Sequence, residues 1–211
     1  TSITRDNRNQ LWVGTDGGGL FRIAENGTKT RFINENTPLP NNAILTLTAD
    51  KRGTLWISTY MGGITSYHPE RGFQSFSNLP EVQKVMCSAY DSESDQLYLG
   101  TLGCGVKILS FSDYRLRDFP DSSQQLWVNS LCLDDAGNMW VGHTEGTLCV
   151  NTKTGQKLFP ELSRNLKGTN INSIMLHRDG SVWFGSPRGL FHLNTKDTLL
   201  TSFSRNDGLP S

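Results

Sequence analysis

The sequence has no apolar run near the ~20 residues that a membrane-spanning helix needs. Its 20 basic and 20 acidic residues cancel, so it lacks the positive excess of a nucleic-acid binder, and no nucleic-acid contact is expected. It has only four cysteines, Cys87, Cys104, Cys132 and Cys149. None forms a CxxC pair and no histidines join them at zinc-ligand spacing, so no metal or cofactor is expected and the reading is buried free thiols in strands. No 3.6-residue apolar period persists anywhere, which leaves little room for helices. The chain opens on "TSITRDNRNQ", inside a strand-like pattern, with no start methionine and no signal peptide; a piece of a longer protein is the expectation.

Glycine, by contrast, is abundant, at 21 of 211 residues, and it is densest in "LWVGTDGGGL" at Leu11–Leu20. A phosphate-cradling loop would need a strand–loop–helix setting for GxGxxG, or a Gly-Lys-Ser/Thr ending, and neither is present. Instead the stretch recurs. "LWISTYMGGITSY" follows at Leu55, "LYLGTLGCGVKIL" at Leu97, "MWVGHTEGTLCV" at Met139 and "VWFGSPRGLFHL" at Val182. The anchoring aromatics Trp12, Trp56, Tyr98, Trp140 and Trp183 are spaced by 44, 42, 42 and 43 residues. The glycines therefore belong to a repeated tight turn in which positive φ is required.

The flanks repeat as well. Asp6, Asp50 and Asp134 stand six residues before the aromatic, and Gly53, Gly137 and Gly180 three before it, which reads as a strand–turn–strand hairpin. Apolar alternating runs such as "AILTLTA" and "INSIMLH" precede each turn. Short segments ending in Phe, such as "GFQSFS" and "LLTSFS", close most units, followed by Leu-Pro or Phe-Pro loops. Four short strands per ~42–44 residues is the period of a β-propeller blade. The fold class is therefore all-β, a β-propeller of four-stranded antiparallel blades. Five blades are visible, at about 1–40, 41–82, 83–124, 125–168 and 169–211, in a single segment spanning 1–211. The last residues, "NDGLPS", resemble the loop that opens a blade. A larger propeller is thus implied, although five blades can also close a ring. An open five-blade arc would expose apolar faces on its end blades, so ring closure or self-association is expected.

The combination of Asp-x-x-Gly, Leu-Trp-hydrophobic-Gly-Thr and Gly-Gly-Leu, best matched at Leu11–Ile23, Asp50–Tyr67 and Asn129–Gly142, resembles the two-component-regulator propeller repeat. The third unit departs from it with Tyr98 for Trp and Asp95 for the turn glycine, and the fifth with His177 for Asp. That repeat fills the periplasmic sensor regions of hybrid two-component systems in gut Bacteroidetes. The resemblance implies a periplasmic input domain that responds to glycans or their breakdown products. It also implies further blades and downstream sensor domains as partners, with membrane attachment and histidine kinase chemistry elsewhere in the full-length protein. This chain itself is expected to be no enzyme.

The residues themselves offer no catalytic set. His68, His143, His177 and His192 fall at non-equivalent repeat positions, and adjacent Asp134 and Asp135 diverge if extended. The repeated aspartates read as turn residues bonding their own backbone. Ligand contacts are expected where the repeat varies, in the loops between second and third strands and in those between blades. These loops carry Asp16, Tyr60, Met61, Leu102, His143, Glu145 and Arg188, together with Trp127, the one tryptophan outside the anchor position. Tyr60 and Trp127 suit stacking on an oligosaccharide, with Asp16, His143, Glu145 and Arg188 as polar partners. Trp127 equally fits a plug between blades, and Tyr60 and Arg188 fit ordinary solvated loops. A protein-interaction propeller without a small ligand is the alternative function.

Overall fold

The computed structural model describes residues 2–76, 79–120 and 126–209. Pro210, and Ser122–Gln125 before Trp127, lie outside them. Five four-stranded antiparallel sheets follow one another along the chain. The first contains β1 (Ser2–Arg5), β2 (Leu11–Gly14), β3 (Leu20–Ile23) and β4 (Lys29–Phe32). The second contains β5 (Ile44–Ala49), β6 (Leu55–Thr59), β7 (Gly63–His68) and β8 (Gly72–Ser75). The third contains β9 (Val85–Asp91), β10 (Gln96–Thr101), β11 (Val106–Ser110) and β12 (Leu116–Asp118). The fourth contains β13 (Val128–Leu133), β14 (Asn138–His143), β15 (Gly146–Asn151) and β16 (Lys157–Leu158). The fifth contains β17 (Ser173–Leu176), β18 (Val182–Ser186), β19 (Gly189–Asn194) and β20 (Leu199–Phe203). Within each sheet the strands pair in sequence order, as in a propeller blade.

These blades fall into two compact units, Thr1–Leu102 with Val106–Arg117, and Gly103–Gly105 with Asp118–Ser211. In the first unit, the innermost strands of neighbouring blades are bonded by hydroxyls. Ser2 Oγ accepts from the Leu47 N–H at 3.0 Å, and Thr48 Oγ1 lies 2.6 Å from Ser88 Oγ. In the second unit Ser130 Oγ accepts from the Ile174 N–H at 3.0 Å, the counterpart of the Ser2 bond. The blades also need glycine on the second strand. A Cβ on Gly14 would lie 2.5 Å from Ile44 Cγ2, and one on Gly142 2.7 Å from Ile171 Cγ2. Absence of a side chain there lets the next blade's first apolar residue close down on the sheet.

In the first, fourth and fifth blades the anchor tryptophan stacks on the phenylalanine that ends the blade, Trp12 on Phe32 at 5.8 Å, Trp140 on Phe159 at 5.1 Å and Trp183 on Phe203 at 5.7 Å between centroids. Trp56 is instead tilted against Phe76 and stacks on Phe111 of the next blade at 4.9 Å. The hairpin aspartate holds both turn and tryptophan. Asp50 Oδ1 accepts from the Arg52 and Thr54 N–H groups at 2.9 Å each, and its Oδ2 from Trp56 Nε1 at 3.1 Å. Asp6 repeats the set with Arg8, Gln10 and Trp12, and Asp134 with Ala136, Asn138 and Trp140. The expected backbone bonding is present, and the indole bond is an addition that the sequence does not announce.

Two blades depart from this set. The third has a turn one residue longer, from Asp91, and Asp95 takes the left-handed slot at φ 56° that Gly53, Gly137 and Gly180 fill elsewhere. Its Tyr98 hydroxyl donates to Gln96 Oε1 at 3.3 Å instead of to the aspartate. In the fifth, His177 offers no carboxylate and Trp183 is only half-buried, packed 4.4 Å from His192.

The structure adds a helix that no sequence period reveals, α1 (Pro160–Asn165). It is too short to carry a period, yet Pro160 starts it and Leu162 with Leu166 anchors it in the core. The cysteines are unbridged. Cys87, Cys132 and Cys149 lie in strands, where burial raises their thiol pKa values, that of Cys87 to about 12. Cys104 lies in a loop, which corrects the expectation that all four occupy strands. No helix among the described residues is long and apolar enough to cross a membrane.

Asp50→Ala leaves two turn N–H groups and a buried indole N–H without an acceptor, and is expected to cost about 3 kcal/mol of unfolding free energy in urea denaturation. His177→Ala, at the equivalent position of the fifth blade, should cost less than about 1 kcal/mol.

Candidate functional site

Backbone bonds pin the loops between second and third strands against the loops that lead into their own and the next blade. In the first unit, the Ile44 N–H donates to Thr15 O at 2.8 Å and Gly19 N–H to Asn42 O at 2.9 Å, across to the next blade, while Tyr60 N–H donates to Ala43 O at 2.9 Å within its own. The Thr15 N–H donates to Gly19 O at 3.1 Å, so this glycine-rich loop spends these amides on its own chain and not on a phosphate. The two loop sets share one face, as the sequence suggests. Asp16 is exposed on the first blade's loop. Tyr60 and Met61, 56% and 53% exposed, occupy the second blade's loop, while Leu102 is half-buried on the third.

In the second unit the same bonds bring three candidates together. Thr144 N–H donates to Trp127 O at 3.1 Å, and Gly168 N–H to Glu145 O at 2.9 Å. Glu145 is exposed, and Trp127 is 55% exposed beside the Gly103 turn. Trp127 therefore presents its ring to solvent. Tyr60 N–H bonds Ala43 as Thr144 N–H bonds Trp127, and so does Leu102 N–H with Lys84. The tryptophan thus stands where other repeats carry Ala43 or Lys84.

His143 replaces the threonine of the Gly-Thr pair and is buried beneath the loop. Its carbonyl accepts from the Ile171 N–H at 3.1 Å, and its Nδ1 accepts from the Glu145 N–H at 3.2 Å. Burial lowers its pKa to about 4, so the imidazole is neutral at pH 7 and orients Glu145 through the backbone. Arg188 lies on the fifth blade's loop, its N–H donating to Ser186 Oγ at 3.1 Å. Its exposed side chain lines an open cleft of about 530 Å³ with Ser204, Arg205, Asn206 and Leu209.

A further cleft in this unit, of about 510 Å³, opens at the hairpin turns. Asp134 and Asp135 both line it, with Asn138, His177 and Arg178. The two aspartates sit at the start of a tight turn, not along the extended strand expected from the sequence. Among the described residues no group of three His, Cys, Asp or Glu side chains could hold a metal ion.

Residues 38–61, 122–145 and 165–188 match the family model of the two-component regulator propeller. The extracellular domain of a putative hybrid two-component system from B. thetaiotaomicron superposes with a TM-score of 0.78 at 26% identity, covering 99% of this chain and 28% of that one. The extracellular domain of a putative one-component system from B. thetaiotaomicron gives 0.72 at 21% identity, covering 90% and 26%. The chain thus spans about a quarter of the length of these two. Virginiamycin B lyase from Staphylococcus aureus gives 0.75 at 14% identity over 96% of this chain and 69% of the lyase, a likeness of fold alone. No curated protein matches the sequence.

Because His143 resists protonation when folded, the unfolded chain binds more protons between pH 6.5 and about 4. Stability should be full above pH 6.5 and fall on acidification through this window. His143→Thr, which restores the residue of the repeat, is expected to flatten that slope in urea denaturation at pH 7, 6, 5 and 4.5. An unchanged slope would assign the pH dependence to other groups.

Proposed function

From the premise that this chain carries two-component regulator propeller repeats, we propose that it is a segment of the periplasmic input region of a two-component sensor. It recognises a glycan or glycan breakdown product and passes a shape change to a histidine kinase elsewhere in the protein. The five consecutive repeats belong to one propeller segment, completed by further blades and downstream sensor domains of the full-length chain. No catalytic role is assigned to it.

One observation carries the ligand reading. Trp127 is an exposed indole held by backbone bonds on the loop face, where other repeats place Ala43 or Lys84, with Glu145 on the adjoining loop. An aromatic plane beside fixed polar groups fits a sugar, whose C–H faces stack while its hydroxyls bond. A protein-interaction surface is the second reading, favoured by the exposed Tyr60 and Met61 of the other unit.

Thermal unfolding of the complete sensor region against a broad oligosaccharide panel separates the two. A recognised glycan at a hundredfold excess over its Kd should add about 2.7 kcal/mol of stability. Trp127→Ala or Arg188→Ala should abolish that gain and leave ligand-free stability within about 0.5 kcal/mol, because both side chains are exposed. No gain with any glycan would favour the interaction reading.

A further inference from the structure

The cleft at the hairpin turns of the fourth and fifth blades exists because the side chains that fill its counterpart are missing. Between the second and third blades, the Arg52 guanidinium lies 4.1 Å from the centroid of Phe111. It donates to Asp50 Oδ2 at 3.1 Å and to Asp95 Oδ2 at 3.2 Å. Lys51 adds a second cation, 3.7 Å from Asp95 Oδ1, and the Tyr90 hydroxyl donates to the same oxygen at 2.6 Å. Under this cover the Asp50 side chain is fully enclosed.

Aligned on the hairpin strands and the anchor aromatics, Arg52 corresponds to Ala136, Lys51 to Asp135, Asp95 to Gly180, Tyr90 to Leu176 and Phe111 to Thr195. All five replacements line the open cleft. Asp134, the counterpart of Asp50, keeps its three turn and indole bonds and is only half-buried. Asn138 Nδ2 also donates to its Oδ2 at 3.1 Å. Phe159, half-buried and stacked on the enclosed Trp140, forms an apolar wall. The cleft has thus lost both of those cations while keeping two carboxylates, Asp135 arriving where Lys51 stood and Asp95 giving way to Gly180. Arg178, the one Lys or Arg on its lining, is exposed and makes no ion pair among the described residues. His177 is exposed, with Nδ1 3.0 Å from Asp179 Oδ1.

We propose that this cleft is a binding site for a guanidinium group, carried by a free arginine-like molecule or by an arginine side chain of a peptide. The bound group takes the place that Arg52 fills from within the chain between the second and third blades. Its N–H groups donate to the carboxylates of Asp134 and Asp135, and its plane lies against the Phe159 ring. This site lies at the hairpin turns, apart from the loops that carry Trp127, and does not rest on the glycan reading.

The test uses the complete chain and NMR or calorimetric titration with N-acetyl-argininamide, its citrulline analogue as a neutral isostere, and a short peptide with one arginine. Arginine amide should bind on the order of 1 mM, since the cleft is open to water, and the citrulline compound at least tenfold more weakly. A peptide tighter than the amide by tenfold or more assigns the occupant to a protein side chain, whereas equal affinity assigns it to a small molecule. Ala136→Arg supplies the group from inside, as Arg52 does, and should abolish binding while the chain keeps or gains thermal stability. Asp135→Asn should weaken binding at least threefold, and Trp127→Ala should leave it unchanged. Equal binding of citrulline, undiminished binding by Ala136→Arg, or loss of binding with Trp127→Ala would each overturn the proposal.

Discussion

The hydrogen bonds of one carboxylate set the geometry on which each regular blade depends. An indole N–H buried in a blade needs an acceptor, and the two amides of a tight turn need one as well. Asp6, Asp50 and Asp134 serve all three donors at once. The turn is thereby fixed to the tryptophan, and the tryptophan to the phenylalanine of the outermost strand. Innermost and outermost strands are then tied through a single side chain. Where the carboxylate is absent, as at His177, the turn keeps its backbone bonds but the tryptophan is less buried.

A frame held this way leaves the loops free to vary. In the first four blades the loop between second and third strands is tied by backbone amides and carbonyls, which every residue type except proline supplies in full. The side chains at those positions can therefore change without loosening the scaffold. Asp16, Tyr60, Leu102 and Thr144 occupy the same place in four successive blades with no common chemistry. The constraint on the loops is on main-chain shape, and the freedom is in what they present.

This division explains what the sequence made legible. Strand number, turn glycines, anchor tryptophans and closing phenylalanines could be read because they recur along the repeat and each recurrence answers the same steric need, whereas the stacking of tryptophan on phenylalanine could not. The loop face could be read for the same reason, since variation stands out only against a regular frame. Other features depend on neighbours far along the chain. The burial of His143 follows from its place beneath a loop tied to Ile171, and nothing in "VGHTEG" distinguishes it from an exposed histidine. The exposure of Trp127 is similarly invisible, because a lone tryptophan before an apolar strand suits a plug as well as a platform. Helix α1 hides in the same way, since two leucines four residues apart are too few to show a period. Asp134 and Asp135 were misjudged for a local reason, as they lie in a turn where a strand was assumed.

Repeats also serve as internal controls, because equivalent positions solve the same packing problem with different residues. Arg52 shows what the space beside a hairpin aspartate accepts, and Ala136 shows the same space left open. A mechanical consequence lies in β14. At one end Asn138 lines the open cleft and bonds Asp134; at the other His143 supports the loop that contacts Trp127 O and carries Glu145. Six strand residues span roughly 17–20 Å, and every one of them pairs with β15. Such a strand does not stretch, so a displacement at Asp134 reaches the loop face only if β14 and its partners shift as a body. Two ligands bound at its ends would then influence each other through blade position, with no change in fold.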